Sequence, residues 1–316
     1  MITTQTRTQR LSTAPRLGPL LARGAVVSVG KRGPYDGARL PATRLVLRET
    51  PVDADALRAY ADVCRFEAGG TLPPTYPHIL GFPLAMRLMA GRDFPFPLLG
   101  LVHMDIELTQ YKALPATARP EISVQAEGLE PHRKGSRFGM VTEARLDGET
   151  VWHSRSTYLC RHRTGARPQE PSGKQAAQAS RAADEPLPVR DTWELPGGLG
   201  RRYAAASGDR NPIHLHPLTA KLFGFPRHIA HGMWTFARCL AEAFPEHDGG
   251  DGRLGARAEF KAPVHLPTTV AYGERDGAFE LRGTGERARL HLTGRVGRES
   301  SGTPSSGSLD RPSRSS

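Results

Sequence analysis

Residues 203–233 read YAAASGDRNPIHLHPLTAKLFGFPRHIAHGM, and the rest of the chain is best understood outward from them. In about thirty residues they bring together Ser207-Gly208-Asp209, Asn211-Pro212-Ile213-His214 and Ile229-Ala230-His231-Gly232-Met233. Asp209 and His214 stand on either side of Asn211-Pro212. Proline lacks a backbone donor and pushes the residue before it out of helical geometry, so a turn is expected there. Such a turn can carry a carboxylate and an imidazole into one cleft, where they work as base and acid near neutral pH. The residues alone leave a second reading open, in which Asp209 and Asn211 only make Asx turns and cap the next helix. His231-Gly232 directly precedes the helical stretch Met233–Phe244. The first N–H groups of a helix lack intrahelical acceptors and sit at its positive end, and glycine lets a ligand oxygen approach them. The bland reading of Gly232 is a helix-entry glycine.

Composition sets the frame. The chain has 316 residues, 38% hydrophobic and 24% charged, enough for two modest domains. Its three cysteines form no CxxC pair, which argues against a disulfide framework and for a reducing, cytoplasmic setting. No apolar run is long enough to span a membrane. The net charge of +11 is concentrated in residues 1–48, where nine Arg or Lys face Asp36 alone. Aromatic residues are not interleaved with the basic ones as stacking platforms, so no specific nucleic-acid site is indicated. The imidazoles at 214, 216, 228 and 231 invite a metal reading, but no Cys cluster or HExxH pattern supports it. Dinucleotide, phosphate-loop and nucleophile-elbow motifs are also missing.

Hydrophobic periodicity yields the same element order twice. A strand at Arg44–Arg48 leads to helices at Ala54–Phe66 and Ile79–Ala90. Strands follow at Leu101–Tyr111, Ile122–Glu127, Gly139–Leu146 and Thr150–Arg161. Thr164–Glu185, with no apolar residue larger than Ala, reads as a linker. The second half runs from a strand within Leu187–Leu195 to helices at Leu199–Ser207, Pro217–Phe223 and Met233–Phe244. Four strands complete it, Ala256–Val264, Thr268–Gly273, Ala278–Gly283 and Ala288–Val296. The expected organisation is a disordered tail over 1–14, an α+β domain over 15–163, a linker over 164–185, a second domain over 186–297 and a disordered tail over 298–316.

The 203–233 stretch closely resembles the signature of MaoC-like, hydratase 2-type (R)-specific enoyl-CoA hydratases and dehydratases. In those proteins a YxxxSGDxNPIH run carries the catalytic acid and base, and GFxxxIAHGM opens the central helix. The resemblance implies a double hotdog: two antiparallel sheets, each wrapped around a central helix and joined as a pseudo-dimer. It further implies that Asp209 and His214 activate water, that the Gly232 N–H polarises a thioester carbonyl, and that Asn211, Ser207 and His231 shape the site. Hydration of trans-2-enoyl thioesters to (R)-3-hydroxyacyl thioesters, or its reverse, would then need neither redox cofactor nor metal. The substrate carrier would be coenzyme A or an acyl carrier protein, and there is room for a homodimer of double hotdogs. Tyr60–Glu67 in the first half has no Ser-Gly-Asp-x-Asn-Pro-Ile-His run, so one active site per chain is expected, with His103 a core or interface residue. A non-catalytic acyl-thioester-binding scaffold and a hotdog thioesterase are the alternatives.

Overall fold

The structure is a computed structural model that describes residues 6–31, 35, 37–67, 69–163, 185–244, 253–285 and 288–299. The first half contains strand β2 (Thr43–Leu47), helices α2 (Ala54–Cys64) and α3 (Tyr76–Met89), and strands β3 (Leu101–Gln110), β4 (Glu121–His132), β5 (Gly135–Leu146) and β6 (Glu149–Arg161). The second contains β7 (Val189–Leu195), helices α4 (Leu199–Ser207), α5 (Pro217–Leu222) and α6 (Gly232–Ala243), and strands β8 (Arg253–Phe260), β9 (Thr268–Arg275), β10 (Ala278–Gly283) and β11 (Leu290–Glu299). The spatial orders β2-β4-β5-β6-β3 and β7-β9-β10-β11-β8 are the same topology used twice. Helix α3 packs on β2, β4 and β5, and α6 on β8, β10 and β11, which makes each half a hotdog.

The two sheets do not stay separate. Strand β3 pairs antiparallel with β8, from Asp105 opposite Glu259 to Gln110 opposite Leu254, and fuses them into one continuous sheet. Backbone groups that would otherwise form two exposed edges are satisfied at this seam. Across the same junction α2 contacts α4 and α6, the buried Tyr60 and Tyr203 rings lie 5.9 Å apart, and the Trp234 indole N–H donates to Val63 O at 2.8 Å.

Two expectations need correction. Residues 7–11 belong to no disordered tail: Arg7–Leu11 form strand β1, which pairs parallel with β2. Parallel neighbours require a crossover, and helix α1 (Leu17–Gly30) supplies it, so an extra βαβ unit is built onto the first hotdog. Gly18, Pro19 and Gly24 make that helix locally weak, and its packing rather than its propensity holds it. At the other end β11 runs to Glu299, past the expected boundary at 297. The linker positions 164–184 and residues 300–316 lie outside the described residues. All three cysteines are free and buried, and no helix among the described residues is long and apolar enough to cross a membrane.

The degenerate character of the first half has a structural cause. Helix α2 ends after Cys64 with Arg65 in the left-handed region (φ 63°), as α4 ends after Ser207 with Gly208 (φ 78°). The next residue is buried Phe66 in the first half and Asp209 in the second. An apolar ring thus occupies the place of the carboxylate.

Candidate active site

The site starts at the end of α4. Ser207 Oγ–H donates back to Tyr203 O at 2.8 Å, and Ser207 Oγ in turn accepts from Asp209 N–H at 3.2 Å. With Gly208 supplying the left-handed turn, this directs the chain away from the helix axis. Asp209 Oδ1 then accepts from Asn211 N–H at 3.1 Å, leaving Oδ2 as the less engaged oxygen. Asn211 caps a short 3-10 turn, Pro212–His214, that delivers the imidazole. The Asx-turn reading is therefore true of this loop, and it is also the means by which the carboxylate is aimed.

His214 is buried, and its Nδ1 lies 2.8 Å from Ile229 O. A carbonyl only accepts, so Nδ1 carries the proton and Nε2 of the neutral ring keeps its lone pair. Segment 228–231 is held in turn by Ala230 N–H to Val264 O and Leu266 N–H to His228 O, each 2.9 Å, and by Ile229 N–H to Ile213 O at 3.1 Å. His231, the residue before α6, stacks on His214 with centroids 3.7 Å apart. Its Nε2 lies 3.0 Å from Asp209 O and 4.0 Å from Asp209 Oδ2. Gly232 is the first residue of α6, and a Cβ there would stand 3.1 Å from the Phe260 ring. Its N–H, in the first turn, has no intrahelical acceptor.

Burial tunes the pair in opposite directions. Desolvation raises the Asp209 carboxyl above its ordinary range, partly offset by His214 and the Asn211 N–H. Desolvation likewise lowers His214, partly offset by Asp209. His231 is pushed well below the usual imidazole value, so it stays neutral and holds the Asp209 backbone through its N–H.

Ser207, Asp209, Asn211, His214, His231 and Gly232 all border one cavity of about 500 Å³. The other two histidines of the stretch do not. His216 Nδ1 accepts from Leu218 N–H at the start of α5, and His228 Nε2 bonds Gly197 O at 2.8 Å. Asp209, His214 and His231 are also the group of possible metal ligands found among the described residues, with ligand atoms within 4.8 Å of one another. His231 Nε2 and His214 Nδ1 are engaged by backbone carbonyls, so His231 Nδ1, His214 Nε2 and the Asp209 carboxylate are the atoms of this group left to face a ligand.

Much of the cavity wall comes from the first half. His103 lines it, and is flanked by Tyr158 of its own half at 4.7 Å and Phe260 of the second half at 4.8 Å between ring centroids. Tyr158 and Leu21 are lining residues that the motif does not reveal, because their place depends on which elements face the Asp209–His214 turn. Lys261 and Arg289 border the cavity from the second half, where Lys261 also pairs with Glu259.

Comparison with known proteins gives a consistent picture. Residues 180–277 match the MaoC like domain. The chain is 36% identical over 248 residues to 3-hydroxyacyl-thioester dehydratase X of Mycobacterium tuberculosis, covering 77% of this chain and 84% of that protein. It is 25% identical over 181 residues to 3-hydroxyacyl-thioester dehydratase Y of the same organism, covering 54% and 60%. The crystal structure of HtdX of Mycobacterium tuberculosis superposes with a TM-score of 0.66 at 33% identity, over 80% of this chain and 98% of that one. A MaoC-like dehydratase from Phytophthora capsici shares the fold at 15% identity, with a TM-score of 0.62 over 84% of this chain and 97% of that one.

Proposed function

This chain belongs to the MaoC-like dehydratase family, and on that premise we propose that it is a hydro-lyase of acyl thioesters, one active site per double hotdog. It adds water across a trans-2-enoyl thioester to give the (R)-3-hydroxyacyl thioester, or runs the reverse dehydration. The observation that carries the assignment of residues is the Asp209–His214 pair, one carboxylate oxygen and one imidazole lone pair uncommitted, beside the N-terminus of α6 in a shared cavity.

In the hydration direction the pair orients a water molecule and accepts its proton as the oxygen bonds to C3. The C2–C3 double bond becomes single, and charge moves onto the thioester carbonyl, where the Gly232 N–H stabilises it. The pair then returns a proton to C2, so proton and electron counts balance without an oxidant. Because the reaction is redox-neutral and the carbonyl has a backbone donor, no redox cofactor or resident metal belongs to this proposal. Asn211, Ser207 and His231 position the pair. The proposed substrate is carried on coenzyme A or an acyl carrier protein in the cytoplasm, with two double hotdogs forming the proposed homodimer.

Purified protein assayed with crotonyl-CoA and longer enoyl-CoAs is the test. Asp209→Asn and His214→Ala should each lower turnover by about 10²–10⁴-fold. Near-wild-type turnover in both folded variants would refute the residue assignment.

A further inference from the structure

The βαβ unit at the start of the chain lies beside the site. Along α1, Leu17, Leu21, Gly24 and Ser28 recur at three- and four-residue spacing and form one stripe. At its start, Leu17 packs on the catalytic turn: a Cβ on Gly208, the residue before Asp209, would lie 2.5 Å from Leu17 Cδ1. Two turns on, a Cβ on Gly24 would lie 2.4 Å from Leu98 Cδ2. The helix is secured at this end, with Leu98 N–H donating to Ser28 Oγ at 2.9 Å and Lys31 Nζ to Gly91 O at 2.7 Å. Leu17 and Gly24 are seven residues apart, a rise of about 10 Å. Helix α1 therefore extends from the turn that aims Asp209 to the loop following α3.

Leu21 lies between these anchor points and borders the cavity with Phe82, Met86, Met89, Leu98 and Leu99. These side chains are wholly apolar. Helix α1 itself brings no titratable group to the cavity; its contribution there is shape. Chemistry at C2 and C3 fixes the thioester end of a substrate at Asp209 and His214, so the alkyl remainder must occupy the apolar part of the same cavity.

We propose that α1 is the wall that sets acyl-chain length, with Leu21 its specificity-determining residue. The wall is an appended element, held by β1 against β2 and by Ser28 and Lys31 against the 90–98 loop. Acyl-length preference can therefore be altered at Leu21, between the Leu17 contact with the catalytic turn and the Gly24 contact with Leu98. This inference rests on the hydro-lyase reading above.

The test is the ratio of kcat/KM for trans-2-decenoyl-CoA to that for crotonyl-CoA, measured on the full chain and on Leu21→Phe and Leu21→Trp. A methylene's worth of misfit in a hydrophobic pocket changes discrimination by roughly 10–200-fold. The ratio should fall stepwise with side-chain size, by about tenfold or more in Leu21→Trp. Thermal unfolding identifies the folded variants, and Leu21→Phe decides alone if Leu21→Trp fails to fold. A ratio unmoved in the folded variants, with the wild type active, overturns the role of α1 and leaves the hydro-lyase reading standing. Wild-type protein inert toward every enoyl thioester overturns both.

Discussion

Gly200 provides a sharp test of how the site is positioned, because local and tertiary reasoning make opposite forecasts for Gly200→Ala. Gly200 is the second residue of α4, where alanine is the better helix former by about 1 kcal/mol, so helix propensity alone forecasts stabilisation. The structure forecasts damage. A Cβ at this position would lie 2.0 Å from His214 O and 3.1 Å from the His214 carbonyl carbon. Ordinary contact begins near 3.4 Å, so the 3-10 turn and α4 must separate by about 1.4 Å. The atom in the way is backbone, and no side-chain rotation relieves the clash. Overpacking of this kind destabilises by about 1–3 kcal/mol. At about 2–4 °C per kcal/mol for domains of this size, Tm should fall by several degrees. The catalytic loss should be larger, because misplacing a reacting group by about 1 Å can lower turnover by about 10²-fold. Enoyl-CoA hydration gives kcat, and calorimetry of the same preparation gives Tm. A folded variant with unchanged or raised Tm and kcat within about threefold of wild type would refute the claim that α4 sets the His214 position.

Other outcomes follow from the same geometry. Burial raises the Asp209 carboxyl above its ordinary value near 3.8, so the acid limb of kcat/KM should lie above that value; a limb at or below 3.8 contradicts this. Burial lowers His78 to about 4 and His103 to about 3, so both fold as neutral rings. Since these folded values are depressed, their stabilisation is present above pH 6.5 and is lost as pH falls, by at most about 1.4 kcal/mol per pH unit for each ring. Urea midpoints should accordingly be lower at pH 5 than at pH 7, and equal midpoints would argue against neutral burial. Dialysis against a chelator should leave turnover intact, whereas loss restored by added Zn²⁺ would show that Asp209, His214 and His231 hold a working ion.

The repeated order of strands and helices was legible because each element carries its own period, two for strands and 3.6 for helices. Helix α4 runs over Leu199–Ser207 as its pattern indicates, and the other expected elements differ mainly at their ends. Helix α1 was not legible. Gly18, Pro19, Arg23 and Gly24 obscure its apolar stripe, and it is stabilised by Leu98, Ala90 and β1, all of which require the fold to exist first. The fused sheet was equally hidden, since nothing local to β3 or β8 states that the two edges meet.

For the site, sequence by itself singled out the residues proposed to bring chemistry. Asp209, Asn211, Pro212 and His214 lie in a few consecutive residues, and their turn is governed by short-range sterics and hydrogen bonds that the sequence encodes directly. Tertiary structure alone decided what surrounds them. His103, Tyr158 and Leu21 reach the cavity because β3 pairs with β8 and because α1 crosses from β1 to β2. Those contacts join residues many tens of positions apart, and no local period or motif records such pairings, so the proposed proton-handling groups were readable from the chain while the shape of the cavity was not.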